Sequence, residues 1–200
     1  DAEAYAFHAL TKKYNLHTDS NDLKKFMSVN QAHWEAFQQN RLTKEEVLSK
    51  RFEAYFGLHH INVNGQEADV IFRDELASAP IKYFMNTVET LKALKDTHDM
   101  YIVTNGVSEV QRSRLARASI APYIRDIFIS QEIGAPKPRA QFFDHVFAAL
   151  GNPSRAHAII MGDSLTSDMA GGKNAGIATC WFAPDDAVDT VGCDYRVSRL

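Results

Sequence analysis

The sequence is poor in several features that mark particular classes of protein. It has only two cysteines, Cys180 and Cys193, which form neither a CxxC motif nor a metal-ligand spacing. We therefore expect free thiols and a reducing, cytoplasmic environment. It has no basic block and a formal charge of only -3, so we expect neither a nucleic-acid nor a membrane-surface partner. Its apolar runs are no longer than a strand, which argues against a bilayer span.

A strand pattern is absent from the first eighty residues. Apolar residues instead recur at three- and four-residue spacing, which predicts helices, and the four stretches are residues 2–15, 23–40, 44–57 and 65–79. Asp19 or Ser20 marks one helix start, and Thr43 with Glu46 forms the pattern of a capping box at another. Gly57 marks the end of the third helix. We predict an all-helical domain over residues 1–80.

Short apolar strands alternate with amphipathic helices over residues 81–200. The predicted strands are residues 101–103, 126–130, 157–161, 177–182 and 194–198, and the helices between them are 86–95, 108–118, 140–150 and 165–174. This alternation predicts an α/β fold, a Rossmann-like parallel sheet with helices on both faces. Ligands of such sheets bind at the carboxyl ends of the strands.

Two loops at these strand ends carry groups that suit an anion. Thr104, Asn105 and Gly106 follow a strand and precede a helix, whose N-terminal N–H groups favour negative charge; an ordinary capped turn is the competing interpretation. Lys137 lies between Pro136 and Pro138, which stiffen the loop that presents it. A solvated surface lysine is the alternative there.

A third strand end carries two acids. Asp163 follows Gly162 directly, and Asp168 comes one turn later. Two such carboxylates either bind a hard cation such as Mg²⁺ or act as N-caps, and an N-cap accounts for only one of them. An anion-binding hydroxyl, a cation and a metal-binding carboxylate at one sheet edge are what phosphoryl transfer requires.

These motifs resemble those of the haloacid dehalogenase superfamily of phosphohydrolases. IVTNG (102–106) resembles its second motif, GAPKP (134–138) its third and GDSLTSD (162–168) its fourth. The helical part resembles the cap that one subgroup inserts between its first and second motifs. Further similarity to bacterial pyrimidine 5′-nucleotidases lies in VNQAHW (29–34), in residues 40–56 and in NAGIATCWF (174–182).

The resemblance implies roles for individual residues and a reaction. The catalytic residues would be Thr104, Lys137 and Asp163; the phosphate-binding residues Thr104, Asn105, Gly106 and Lys137; and the Mg²⁺ ligands Asp163 and Asp168. By analogy the first long cap helix contacts substrate, which suggests Asn30 and Trp34. The implied activity is Mg²⁺-dependent phosphomonoester hydrolysis through an aspartyl-phosphate.

The implied substrate is a small phosphorylated metabolite, in the first place a pyrimidine nucleoside 5′-monophosphate. A sugar-phosphate phosphatase or phosphomutase is an alternative on the same scaffold. A 2-haloacid dehalogenase, which needs no metal, fits the two acids less well. An inactive phosphate-binding module is the non-enzymatic alternative, and the protein could be a monomer or a homodimer.

The family's first motif, a DxDxT sequence that carries the nucleophile, is absent from the 200 residues. A natural pseudoenzyme, a truncated protein and a longer natural molecule would each account for this. In this fold the motif's strand lies between those at 101–104 and 157–161, and orphaning buried N–H and C=O groups costs about 1–3 kcal/mol each. Several such groups together would exceed a typical stability of about 5–15 kcal/mol. We therefore expect residues before Asp1, and an intact mass above 22.4 kDa.

Overall fold

The computed structural model describes residues 2–200. They divide into a helical unit that ends at Lys82 and an α/β unit, Tyr83–Leu200. The α/β fold class with parallel strands and additional helices is confirmed. The helical unit contains α1 (Ala2–Lys13), α2 (Ser20–Gln38), α3 (Lys44–Gly57) and α4 (Gly65–Ser78). Within residues 2–200, no helix has the length and apolar character needed to cross a membrane.

Side-chain caps define the helix ends in this unit. Asp19 is the N-cap of α2 and accepts hydrogen bonds from the backbone N–H groups of Asn21 and Asp22. Thr43 and Glu46 exchange both bonds of the predicted capping box at the start of α3, which satisfies two otherwise unpaired backbone donors. Gly57 ends α3, as predicted.

An aromatic cluster forms the core of the helical unit. Phe7, Phe26, Phe52, Tyr55 and Phe72 are almost completely buried and contact one another through stacked and edge-on rings. Such pairs contribute about 0.5–1.5 kcal/mol each beyond the burial of apolar area. These aromatic side chains therefore hold the four helices of the unit together.

The α/β unit alternates strands and helices as the sequence predicts. Its elements are α5 (Thr87–Leu94), β1 (Tyr101–Thr104), α6 (Ser108–Arg117), β2 (Asp126–Ile129), α7 (Ser130–Ile133), α8 (Ala140–Ala149), β3 (Ile159–Gly162), α9 (Ala170–Ala175), β4 (Ala178–Phe182) and β5 (Tyr195–Val197). Ser130 was expected in a strand but begins α7, because its carbonyl accepts the N–H of Gly134 and the left-handed Gly134 (φ 81°) closes the turn.

All strand pairs of this unit are parallel, and they form two separate sheets. β1 pairs with β2 in the first sheet, and β3, β4 and β5 form the second sheet in that order. Among residues 2–200, no strand pairs with the second edge of β1 or of β3. The apolar side chains of Ile159 and Met161 on β3 are about half exposed, 54% and 51%. The break between the two sheets thus falls between β1 and β3, where the resemblance places a further strand.

Candidate active site

The three polar loops that follow β1, β2 and β3 meet at Lys137. Its ammonium donates to the carbonyl oxygen of Val103 at 2.8 Å and to Oδ1 of Asp168 at 2.6 Å. Only 5% of the residue is exposed, so the alternative of a solvated surface lysine is wrong. An ammonium carries three N–H donors, and these two acceptors leave one donor for a ligand.

The burial of this charge depends on Asp168. An uncompensated ammonium in the interior is very unfavourable, whereas a paired and hydrogen-bonded one is tolerated. Oδ1 of Asp168 pairs with Lys137, and Oδ2 accepts the backbone N–H of Ser164 at 3.2 Å. Gly162 makes room for this carboxylate, because a Cβ built at Gly162 would overlap Oδ2 of Asp168. The glycine of GDSLTSD thus admits a neighbouring side chain.

Neither acid of this loop is an N-cap. Ser164 caps the π-helical turn Leu165–Met169 that precedes α9, and its Oγ accepts the N–H of Ser167 at 3.1 Å. The carboxylate of Asp163 is exposed and accepts no hydrogen bond from residues 2–200, although its backbone carbonyl accepts the indole N–H of Trp181 at 2.9 Å. Asp163 therefore has free carboxylate oxygens beside a fixed backbone.

Hydrogen bonds within the loop after β1, and from this loop to Lys137, fix its position. Oγ1 of Thr104 accepts the N–H of Gly106 at 3.0 Å. The side-chain amide of Asn105 accepts the N–H of Lys137 and donates to its C=O, both at 2.9 Å. Val107, the N-cap of α6, makes no side-chain capping bond, so the side-chain cap of the competing interpretation is absent; phosphate binding by this loop stays a prediction.

A second connection fastens the start of α6 to α7. Glu132 accepts hydrogen bonds from the hydroxyl of Ser108 and from two nitrogens of Arg112. These bonds hold the pKa of Glu132 at about 2, well below its usual range. The connection fixes the helix whose N-terminus follows the Thr104–Gly106 loop.

The donor set at the end of β3 fits Mg²⁺ in part. Mg²⁺ is commonly bound through one or two carboxylates, with water and substrate phosphate completing its octahedron. Asp163 offers accessible oxygens of this kind, while both oxygens of Asp168 already accept hydrogen bonds. Residues 2–200 contain no cluster of three or more His, Cys, Asp or Glu side chains that could bind a metal.

The candidate substrate residues of the helical unit lie in and beside a buried polar cluster. Asn30 is 7% exposed, and its Oδ1 accepts from Arg51 at 2.8 Å. Arg51 also donates to Asp69 at 2.7 Å. Trp34 is half-buried, 6.0 Å from the Arg51 guanidinium, and packs edge-on against Phe37. Contact of Asn30 and Trp34 with substrate stays a prediction.

Sequence reasoning missed Arg51, Asp69 and Ser164. A usable signal existed for Arg51, which occupies a core position of α3 between Val47 and Tyr55 at four-residue spacing. A charged residue at such a position indicates a buried pair. Ser164 directly precedes the helical turn and lies three residues before Ser167, whose backbone N–H it caps. A serine at this position is an ordinary N-cap signal.

The chain is similar to hydrolases of one family along most of its length. Residues 4–182 match the family model described as haloacid dehalogenase-like hydrolase. YfnB of Bacillus subtilis (strain 168), named as a HAD-hydrolase, is 35% identical over 185 residues, which cover 92% of this chain and 78% of YfnB. A crystal structure of YfnB bound to magnesium has a TM-score of 0.93 at 32% identity and covers 100% of this chain and 87% of that chain.

Two further relatives are named as pyrimidine 5′-nucleotidases. PynA of Streptococcus pneumoniae (strain ATCC BAA-255 / R6) is 32% identical over 167 residues, which cover 80% of this chain and 67% of PynA. YjjG of Escherichia coli (strain K12) is 31% identical over 171 residues, covering 84% of this chain and 74% of YjjG. The resemblance seen in the sequence motifs is confirmed.

Proposed function

Because this chain belongs to the haloacid dehalogenase-like hydrolases, we propose that it is a Mg²⁺-dependent phosphomonoester hydrolase that acts on pyrimidine nucleoside 5′-monophosphates. One observation carries the proposal: the buried Lys137 ammonium is held at the ends of β1 and β3 with one donor left for a ligand. A fixed cation, and a free carboxylate on the same segment as its partner Asp168, suit a phosphate bridged to the protein by a metal ion.

Each site residue then has a distinct task. The Lys137 ammonium and the Thr104 hydroxyl donate to phosphoryl oxygens, and the backbone N–H of Asn105 is a further donor of this loop. The N–H of Gly106 donates to Oγ1 of Thr104 and would have to leave it to bind phosphate. Asp163 would hold Mg²⁺, which supplies charge neutralisation of the phosphate when bound. Asp168 orients Lys137 through their hydrogen bond; a direct bond from Asp168 to the metal would have to compete with Lys137 and Ser164.

The nucleophile of the proposed reaction is an aspartate of the DxDxT motif that these 200 residues lack. We infer that it stands on a strand paired with the free edges of β1 and β3. Two features support this position. Both edges lack a partner among residues 2–200. The Lys137 ammonium also hydrogen-bonds both to Val103 on β1 and to Asp168 in the segment after β3.

The substrate class rests on the relatives. Two of them at 31–32% identity are named as pyrimidine 5′-nucleotidases. Glyceraldehyde 3-phosphate phosphatases of Methanothermobacter thermautotrophicus and Methanocaldococcus jannaschii are less similar, at 24% and 28%. A pyrimidine nucleotide is therefore favoured over a sugar phosphate.

Phosphate release by the full-length gene product tests the proposal. The panel comprises UMP, CMP, dTMP, AMP and glyceraldehyde 3-phosphate, each with Mg²⁺ and with EDTA, and 2-chloropropionate without metal. We expect release from the pyrimidine nucleotides that EDTA abolishes. Dechlorination without metal, or equal rates with EDTA, would refute it.

A pair of variants tests whether Asp163 binds the metal. Asp163→Ala should lower Mg²⁺-dependent turnover about 10³-fold or more, since a metal ion supplies several kcal/mol of charge stabilisation. Asp96, exposed in the loop that leads into β1, gives the control, because Asp96→Ala removes an equal charge at the amino end of a strand, opposite the edge that carries the site. Unchanged turnover in Asp163→Ala would remove Asp163 from the metal site.

A further inference from the structure

The loop that carries Lys137 is fastened to the loop after β1 by one side chain. Asn105 accepts the N–H of Lys137 through Oδ1 and donates to the Lys137 carbonyl through Nδ2, both at 2.9 Å. An amide side chain can satisfy a neighbouring backbone in this way because it offers one acceptor and two donors. We call these two hydrogen bonds the Asn105 bridge.

The bridge joins the two groups that would hold phosphate. Thr104 and Gly106, which flank Asn105, form the hydroxyl-containing loop, and Lys137 supplies the cation. The loop residues Pro136 and Pro138 have no N–H, so Lys137 carries the only backbone donor of the Pro136–Pro138 segment. Asn105 takes both backbone hydrogen-bonding groups of Lys137, its N–H and its C=O.

We propose that the Asn105 side chain is a positioning residue that holds Lys137 in place for phosphate binding and does not itself bind the phosphate. The Asn105 amide oxygen and one amide N–H are already engaged by Lys137, so its bonding capacity toward a ligand is reduced. The inference rests on the proposed function, because it concerns the same phosphate site. It reassigns the side chain of Asn105 from ligand contact to connection between loops.

Amide hydrogen exchange tests the connection without any ligand. The N–H of Lys137 lies between two prolines that carry no amide, so a short peptide around it reports few neighbouring amides. Asn105→Ala should accelerate exchange of this N–H about tenfold or more, because it removes the acceptor. Asn174→Ala is a matched control, since Asn174 donates to the Pro138 carbonyl of the same loop at 3.0 Å and does not touch the Lys137 N–H. Equal exchange in wild type and Asn105→Ala would overturn the proposal.

A double-mutant cycle tests whether Asn105 acts through Lys137. Binding of inorganic phosphate with Mg²⁺ is measured by calorimetry on wild type, Asn105→Ala, Lys137→Met and the double variant. We expect losses of about 10-fold and about 100-fold for the single variants, and about 100-fold for the double variant, because two changes in one interaction are not additive. A loss of about 1,000-fold in the double variant would show that Asn105 acts independently of Lys137, and would overturn the proposal.

The two measurements separate this proposal from the proposed function. If wild type binds no phosphate and releases none from any substrate, the proposed function fails, and the role of Asn105 in phosphate binding fails with it. If wild type binds phosphate and only the cycle is additive, the proposed function stands and the positioning role alone is wrong. If Asn105→Ala does not fold, Asn105→Leu carries both measurements with the same expected outcomes, because leucine has the branched shape of asparagine but neither its acceptor nor its donors.

Discussion

The helical unit and the α/β unit each contain a buried ion pair, and the two pairs have different surroundings. In the helical unit, Arg51 and Asp69 are 2.7 Å apart with side chains 5% and 4% exposed. In the α/β unit, Lys137 and Asp168 are 2.6 Å apart with side chains 7% and 11% exposed. By distance and burial the pairs are nearly equal, so neither quantity tells which one serves chemistry.

The partners of each pair make the difference. Arg51 on α3 joins Asn30 on α2 to Asp69 on α4, and Asp69 also accepts from Arg73. Those contacts tie three helices together. The Lys137 pair instead joins loops at the ends of two strands, keeps one ammonium donor for a ligand, and lies in the same loop system as the exposed Asp163. We infer that the first pair is structural and the second catalytic.

The largest expected effect comes from breaking the second pair. Lys137→Met should lower kcat/KM about 10³-fold to 10⁴-fold, since removing a preorganised charged donor from a phosphate site costs about 4–5.5 kcal/mol of transition-state stabilisation. Steady-state kinetics with UMP measure this, and Lys24→Met, an exposed lysine in α2, is the control. Turnover within tenfold of wild type would show that Lys137 is not in the site.

Breaking the first pair should act on stability. Arg51→Met leaves Asp69 buried with Arg73 as its remaining partner, and we expect a loss of about 3 kcal/mol in the free energy of unfolding. Urea denaturation measures this loss of stability. The kcat for a phosphomonoester that carries no nucleobase should change less than about threefold. Arg125→Met is the control, because its ion pair with Asp99 is exposed and such pairs contribute about 0–1 kcal/mol. A large loss of kcat in Arg51→Met would contradict the structural assignment.

A smaller change can disturb the second pair without removing either charge. Gly162→Ala places a Cβ against Oδ2 of Asp168, so the carboxylate must move and Lys137 with it. We expect a loss of about tenfold in kcat/KM and about 1–2 kcal/mol in stability, as for other overpacked positions. At Gly57 a Cβ meets nothing within 4 Å, so Gly57→Ala should leave kinetics unchanged. Wild-type kinetics in Gly162→Ala would show that the position of Asp168 is not critical.

Local signals predicted the elements well, because caps and periodicity are properties of neighbouring residues. Thr43 and Glu46 are three residues apart, and the capping box they predict is present. The boundary at Ser130 was wrong because the turn that closes α7 depends on Gly134, beyond the apolar run that was taken as a strand. The loops that carry the site residues were also predicted, since the carboxyl ends of parallel strands share one edge.

Pairings between distant residues could not be predicted. Lys137 and Asp168 are 31 residues apart and Arg51 and Asp69 are 18 apart, so no short spacing reports the contact. The resemblance places Asp168 at a metal and Asn105 at phosphate, and both assignments stay predictions; it gives no sign that each side chain also hydrogen-bonds to Lys137. Which role a side chain takes depends on the neighbours that the fold brings to it, and Lys137 is that neighbour for both.

The smallest expected effect concerns Lys44 at the start of α3, close to the first pair. Burial lowers the pKa of Lys44 from 10.5 to about 8. Between these two values the unfolded chain binds more protons than the folded one, so stability rises with pH across this interval. Below pH 8 both states are charged and the cost of burying the charge is fully present. Lys44→Gln should remove this rise, which amounts to about 1–2 °C in Tm because the residue is partly exposed to solvent. Melting curves of both proteins at pH 7, 9 and 10.5 measure it, and a Tm difference that is constant with pH would show that the ammonium keeps its ordinary hydration beside Asp69.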